Sequence, residues 1–271
     1  MKTSNGDVLL DVSKVRLRLG DNLILDDLSF EVLDRIREGT VTGQVVGLLG
    51  PSGVGKTRLL RIIAGLDVAD SGTVKGHAGA DLTTGSVGYV FQDYPLLRHR
   101  SVESNLVLAG TIGGLEEAAA RKRAKELLGE FRLTERASFY PAQLSGGQRQ
   151  RVAIAQQLMQ PRRLLLMDEP FSGLDPTALD SVMGLVTTVA NLDEHNTIVV
   201  VTHDIRASMI VSDTLHMLGR TRKDDGKVVE GARVKWSYDM VERGLAYREN
   251  VEDTPEFTAL EREIKSKFAE L

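Results

Sequence analysis

The sequence predicts an α/β fold: a parallel β-sheet core with covering helices, an antiparallel β subdomain at the N-terminal end, and an inserted α-helical subdomain. Three observations predict it. Short, continuously apolar runs recur at Val45–Leu49, Leu164–Met167 and Ile198–Val201, the texture of strands buried on both faces. Helical stretches alternate with those runs, as parallel strands joined by crossovers require. The first fifty residues instead alternate apolar and polar side chains, while the stretch from Pro95 to Leu144 is rich in helix formers.

Each element follows from its residues. Leu17 and Leu19 alternate with Arg16 and Arg18, and Leu28, Phe30 and Val32 alternate with Ser29 and Glu31. A period of two places one face in a core and one in water, which suits antiparallel strands. Val45–Leu49 leads into a glycine-rich turn, then Lys56–Ala64 reads as a helix stopped by Gly65. Ser86–Phe91 is a further strand, and Glu116–Phe131 a helix of Ala, Glu, Lys, Arg and Leu. Thr177–Ala190 is helical between the second and third apolar runs. In the closing segment Phe257, Leu260, Ile264, Phe268 and Leu271 form one apolar helical stripe behind a Thr254-Pro255 start, braced by Glu261–Lys265 and Glu263–Lys267 pairs. That stripe is expected to dock on its own domain or on a second copy, with a regulator as the other reading. No internal repeat is present.

Composition narrows the class. With 42% hydrophobic and 27% charged residues the 271-residue chain has the make-up of a globular protein with a sizeable core. The formal net charge of −4 gives no overall basic footprint, so no nucleic-acid partner is expected. No cysteine is present, which excludes disulfides and thiolate zinc sites and fits a reducing cytoplasm. No apolar run nears the ~18 residues of a membrane span, and Met1–Asp7 lacks the apolar run of a signal peptide. Any work at a membrane would depend on other chains.

Two segments carry chemistry. Gly50-Pro51-Ser52-Gly53-Val54-Gly55-Lys56-Thr57 fits G-x-x-x-x-G-K-[ST] between a strand and a helix. Glycines let backbone N–H groups converge on an anion, and the helix that follows adds its positive end. Lys56 supplies a point charge for the β- and γ-phosphates, and the Thr57 hydroxyl is a Mg²⁺ ligand. Leu164-Leu165-Leu166-Met167-Asp168-Glu169 is a buried strand that releases two carboxylates at its carboxyl end, where open α/β sheets place their sites. Asp168 is the candidate for Mg²⁺, directly or through water, and Glu169 for polarising an attacking water. Apart, an ordinary glycine turn or a strand ending in solvated charges would explain each; together they are strong evidence for a nucleotide-phosphate site, and they resemble the P-loop nucleoside triphosphatases, a likeness that implies a RecA-like parallel-sheet core.

Leu144-Ser145-Gly146-Gly147-Gln148 is identical to the LSGGQ signature of ABC ATPases, and Arg149–Ala155 continues the likeness. Further elements resemble the family in order: Gln92 its Q-loop glutamine, Ser172-Gly173-Leu174-Asp175 its D-loop, and His203 its switch histidine. The resemblance covers about residues 8–231. It implies an ATP-binding and ATP-hydrolysing subunit of a membrane transporter, with ATP and Mg²⁺ bound. It further implies a homodimer, or a pairing with a paralogous ATPase subunit, stacked head to tail so that the signature of one copy covers the ATP of the other. Integral-membrane permease subunits, and a substrate-binding protein acting through them, are the implied partners. The implied location is cytoplasmic, on the inner face of the cell membrane. Implied catalytic residues are Glu169, His203 and Gln92. Nucleotide-binding residues are Gly50–Thr57, Arg58 and Leu19, together with Ser145, Gly146, Gly147 and Gln148. Thr57, Gln92 and Asp168 are the metal ligands. His77, His99, His195 and His216 keep a structural reading. The domains expected are an ATPase domain over 1–235, made of a core (1–92 and 146–235) and a helical subdomain (93–145), and a helical tail over 236–271.

The chain departs from the family in places. Leu19 stands where an aromatic residue usually stacks on adenine, so the stacking contribution is lost and GTP should be tolerated better. Leu33–Thr42 is longer than the usual turn and reads as an inserted extension of a hairpin. Gln156 replaces a common Arg, and Arg206-Ala207 replaces a common acidic pair. Glu242–Tyr247 and the closing helix resemble nitrate-, sulfonate- or taurine-type importer subunits. The tail is too short for the extra β-barrel domain of some importer subunits, and the unfused domain points to import. A non-transport ABC ATPase of DNA repair or translation is the alternative. Long coiled coils, tandem domains and zinc cysteines, its usual marks, are missing.

Overall fold

The computed structural model describes residues 3–37, 43–193, 196–221, 228–248 and 250–271. Two sheets make the frame. Strands β1 (Thr3–Leu19), β2 (Asn22–Arg37) and β4 (Ser71–Gly76) form an antiparallel sheet ordered β2-β1-β4. Strands β3 (Gln44–Leu49), β5 (Gly88–Val90), β6 (Leu164–Asp168), β7 (Thr197–Thr202), β8 (Thr214–Gly219) and β9 (Arg233–Asp239) form the second sheet. Its order is β5-β6-β7-β3-β8-β9, parallel except for β9 at its edge.

The predicted apolar runs are β3, β6 and β7, and every residue of each is buried. The period-two residues Leu17, Leu28, Phe30 and Val32 are buried on one face of the antiparallel sheet and pack with Leu48, Leu166, Val199 and Leu59 between the sheets. The hairpin extension is real as far as it is described: β2 runs through Leu33 to Arg37 and pairs back to Thr3. Residues 38–42 lie outside the described residues, as does His195. Arg35 ties the extension to the other sheet, reaching Asp239 Oδ2 at 2.5 Å and Thr214 Oγ1 at 3.3 Å.

The stretch between the sheet elements is helical as predicted. It carries α2 (Val102–Ile112) and α3 (Glu117–Glu130), followed by two single 3₁₀ turns. Ser101 caps α2, and the buried Asn105 side chain bonds backbone groups of Leu97, Arg100 and Ser101, fixing the segment that enters it. Helices α1 (Lys56–Ile63), α4 (Gly146–Gln157), α5 (Pro176–Ala190) and α6 (Ile205–Val211) cover the parallel sheet. The strand expected at Ser86–Phe91 is shorter, Gly88–Val90. Strands β4, β8 and β9 carry weaker apolar patterns that periodicity does not single out. Because β9 runs to Asp239, the boundary expected at 235/236 falls inside a strand, and the helix of the tail is confined to α7 (Pro255–Phe268).

Thr254 caps α7 and Pro255 occupies its first turn, as the sequence predicts. Phe257, Leu260 and Ile264 are buried against Leu215, Met217, Tyr238 and Met240 of the same chain. Each such burial is worth about 1.5–3 kcal/mol relative to exposure, so the stripe docks on its own domain. Both predicted pairs form, Lys265–Glu261 at 2.8 Å and Lys267–Glu263 at 2.7 Å.

Candidate active site

Strand order decides which loops meet. β6 neighbours β7, and β7 neighbours β3, so the residues after Asp168, Thr202 and Leu49 emerge side by side at the carboxyl ends of three adjacent parallel strands. There they line one cavity of about 410 Å³, bounded by Leu19, Ile24, Ser52–Gly53, Gly55–Arg58, Gln92, Glu169, Ser172 and His203.

The glycine loop takes the shape its composition allows. Gly55 has φ 112°, a region open to glycine, and a Cβ there would sit 2.9 Å from Ile24 and Leu25 side-chain atoms. At Gly50 a Cβ would meet the Leu218 carbonyl oxygen at 2.6 Å. Lys56 is only 5% exposed. Its Nζ donates to the carbonyl oxygens of Gly50 at 2.8 Å and Pro51 at 3.2 Å, and pairs with Glu169 Oε1 at 3.2 Å. A buried ammonium with three oxygen partners is satisfied, and it must exchange one of them when an anion enters.

Glu169 sits at φ 49°, an uncommon conformation for a residue with a side chain, which costs of order 1–3 kcal/mol. Its backbone N–H bonds Val201 O, and its Oε2 accepts from the His203 backbone N–H at 3.3 Å and lies 2.9 Å from His203 Nδ1. A carboxylate only accepts, so Nδ1 carries the proton and Nε2 is the ring's other polar atom. Asp168 is buried behind the cavity wall rather than on it. Thr57 Oγ1 donates to its Oδ1 at 3.0 Å and Tyr89 OH to its Oδ2 at 3.1 Å. Burial holds the Asp168 carboxyl above its usual range, opposed by those two hydrogen bonds; burial first, then the Asp168 charge, raises Tyr89. Oxygen donors from Thr57, Gln92 and Asp168 suit Mg²⁺, which keeps few protein ligands and shares itself with phosphates.

Not every predicted residue meets here. Gly50, Pro51 and Val54 support the loop from within, and Arg58 reaches the rim while paired with Asp67 at 3.0 Å. Leu19, at the end of β1, lies on the wall, 41% exposed, beside Ile24. Ser145, Gly146, Gly147 and Gln148 do not touch the cavity. Ser145 caps α4 through a reciprocal pair with Gln148, at 3.3 Å and 3.0 Å, and a Cβ at Gly146 or Gly147 would meet nothing within 4 Å. The signature thus forms a separate, open helix start. Asp175 caps α5 through Ala178 N, while Ser172 of the same segment reaches the cavity.

Sequence reasoning missed Tyr89 and Ile24, and named Ser172 only as part of the D-loop segment without placing it at the cavity. Tyr89 had a signal: a tyrosine hydroxyl in a buried strand needs a partner, and the adjacent strand ends in a carboxylate. Gln150 was also missed; its Nε2 donates to Pro170 O at 3.0 Å and ties α4 to the turn after Glu169.

A family model described as ABC transporter matches residues 33–172. The sulfate/thiosulfate import ATP-binding protein CysA of Gloeobacter violaceus is 37% identical over 220 residues, covering 77% of this chain and 63% of that protein. The protein of that name from Bordetella pertussis is 41% identical over 203 residues, 72% and 57% of the two chains. A probable CysA of Chlorella vulgaris is 37% identical over 206 residues, 74% of this chain and 85% of the relative. The chain spans about three-fifths of the length of the first two of these relatives. Among solved structures, cbiO1 of Clostridium perfringens, part of the ABC transporter complex cbiONQ, superposes with TM-score 0.73 at 24% identity over 96% of this chain and 99% of that one. An ATP-binding subunit of an ABC transporter superposes with TM-score 0.68 at 26% identity, covering 94% and 99%. Among the described residues no helix is long and apolar enough to cross a membrane. With its glycine loop, its carboxylate strand and its signature helix in these positions, the chain belongs to the family of ABC transporter ATP-binding proteins.

Proposed function

We propose that the chain binds ATP with Mg²⁺ and hydrolyses it to drive import of a solute through separate integral-membrane permease subunits, from the cytoplasmic face of the membrane. The observation that carries this is the meeting of Lys56, Thr57, Glu169 and His203 around one cavity while Ser145–Gln148 stand apart from it. Half a site in each chain calls for a second copy, or a paralogue, placed head to tail. The division into a core, a helical subdomain over 93–145 and a C-terminal tail goes with the same reading.

In this scheme the loop N–H groups and Lys56 hold the phosphates. Thr57 and Gln92, with Asp168 behind them acting directly or through water, would hold Mg²⁺, which would neutralise phosphate charge. Glu169 takes a proton from the attacking water. The water oxygen bonds to the γ-phosphorus as its bond to the β–γ bridging oxygen breaks, giving ADP and phosphate. His203, oriented by Glu169 through Nδ1, turns its Nε2 edge to the γ-phosphate. Ser145–Gln148 of the other copy close the site. Leu19 and Ile24 give adenine an apolar seat without a ring to stack on. The names of the relatives make sulfate and thiosulfate the first solutes to test, with a substrate-binding protein delivering them.

Turnover by wild type and Glu169→Gln tests the reaction. The variant should trap ATP and dimerise with turnover lowered about 10²–10⁴-fold; equal turnover would remove Glu169 as the base. Purification of the tagged protein from native membranes tests transport. A co-purifying hydrophobic permease supports it, whereas ribosomal or DNA-repair proteins would favour the non-transport alternative.

A further inference from the structure

We propose that helix α7 sets the working position of His203, with Arg206 and Phe257 as positioning residues for hydrolysis; this rests on the ATPase reading above. His203 has little slack of its own. Thr202 before it is the last residue of β7, and Asp204 after it caps α6 through Ala207 N at 2.9 Å while its own N–H bonds Thr202 Oγ1 at 3.0 Å. Where α6 sits, His203 sits. One face of α6 packs on β3 and α5 through Ala207 and Val211, and the other rests on the C-terminal helix: Ile205 and Met209 share one apolar cluster with Phe257, Leu260 and Ile264, and Phe257 is fully buried.

A polar contact reinforces the packing at the residue next but two to His203. The Arg206 guanidinium lies 5.6 Å from the Phe257 ring centroid and 4.0 Å from Glu261 Oε2. Arg206 is one of the residues in which the sequence departs from its family's pattern, and the departure faces the tail. The other end of the tail reaches the phosphate loop's side of the molecule. Leu271 lies against Gly219, the last residue of β8, where an added Cβ would collide with it. The next residue, Arg220, extends to within 3.5 Å of the Gly53 carbonyl oxygen. The helix and the three residues that follow it therefore abut the supports of both the switch histidine and the glycine loop. A shift of α7 must move α6 or open a gap in a close-packed cluster, and close-packed interiors resist gaps.

Arg206→Glu tests this. It puts like charge opposite Glu261 and removes the ring contact. The expected result is kcat lowered about tenfold, with ATP KM and ADP affinity within about twofold of wild type. Adding Glu261→Arg together with Lys265→Glu, which swaps the pair and keeps the charge balance along α7, should restore most of kcat. Damage to packing alone would lower the melting temperature and would not be repaired by the swap. Trp236, the single tryptophan, is a second readout, since Lys267 of α7 lies 5.6 Å from its ring. ATP, and not ADP, should shift its emission in Glu169→Gln, and the shift should vanish on adding Arg206→Glu. Unchanged kcat in Arg206→Glu, no rescue by the swap, or a shift that survives Arg206→Glu would each overturn the proposal. Absence of ATP turnover in wild type would instead overturn the ATPase reading.

Discussion

Glu169→Gln should tighten ATP binding as well as slow turnover, because the cavity holds a pair that nucleotide has to break. Lys56 Nζ and Glu169 Oε1 are 3.2 Å apart, with side chains 4% and 12% exposed. At an effective dielectric constant near 20, Coulomb's law gives this pair about 5 kcal/mol before desolvation is charged against it. Most of that is offset by the hydration each group gives up, leaving a net coupling of about 1–2 kcal/mol. Incoming phosphates need Lys56 and are repelled by the carboxylate. The amide that replaces it keeps the shape and removes the charge, so ATP should bind about 5–30-fold more tightly. The fold should survive, since Lys56 keeps the Gly50 and Pro51 carbonyl oxygens. Calorimetric titration in chelator, where no turnover intrudes, gives the affinity; phosphate release with Mg²⁺ gives the rate. ADP, lacking the γ-phosphate, should gain less. Affinity equal to or weaker than wild type would refute the reasoning, whatever happens to the rate.

Leu19→Tyr should add a stacking face beside Ile24 and raise the ATP-over-GTP preference several-fold, about 0.5–1.5 kcal/mol; an unchanged ratio in competition binding would show that Leu19 does not seat the base. Tyr89→Phe deletes one hydroxyl, leaving Asp168 with Thr57 as its donor. It should weaken Mg²⁺-dependent ATP binding about tenfold, and Mn²⁺ binding followed by electron paramagnetic resonance reads the same loss without turnover. His216, 6% exposed, bonds Ser237 through Nδ1, and burial lowers its pKa to about 4. The unfolded chain takes up that proton near pH 6.5 and the fold refuses it. Stability from this group is present above about pH 6.5 and falls toward pH 4, by an order of 1–3 kcal/mol. A His216→Gln variant should flatten the melting temperature across that window, and a parallel profile would assign the acid sensitivity elsewhere.

The core strands were legible because burial on both faces leaves no polar position to disguise them, as in Val45–Leu49 and Leu164–Met167. Chemistry at Gly50–Thr57 and Asp168–Glu169 was legible because phosphate binding dictates residue types at fixed spacing. Strands β8 and β9 were harder. Thr214–Gly219 includes His216, and Arg233–Asp239 is half-exposed on a sheet edge, so neither has a clean period. Tyr89 escaped because its role depends on which strand lies beside β5, and adjacency between segments so far apart is not written in either one. The tail stripe declared that it would be covered but not by what. Its cover proved to be a strand of weak pattern and the helix behind His203.

The order β6-β7-β3 also works as a ruler. Adjacent strands in a sheet stand about 4.7–4.9 Å apart, so the carboxylate, the imidazole and the loop that carries the ammonium hang from neighbouring rungs of one hydrogen-bonded lattice. Their mutual distances are inherited from the backbone rather than negotiated by the loops. Loops around the cavity can lengthen, or trade an aromatic for Leu19, without altering the gauge. A slip of one residue between β6 and β7 would turn Glu169 away from His203 while every side chain stayed intact. Tolerance to change at this site is therefore expected to follow the grain of the sheet, wide across the rim and narrow along the three strands.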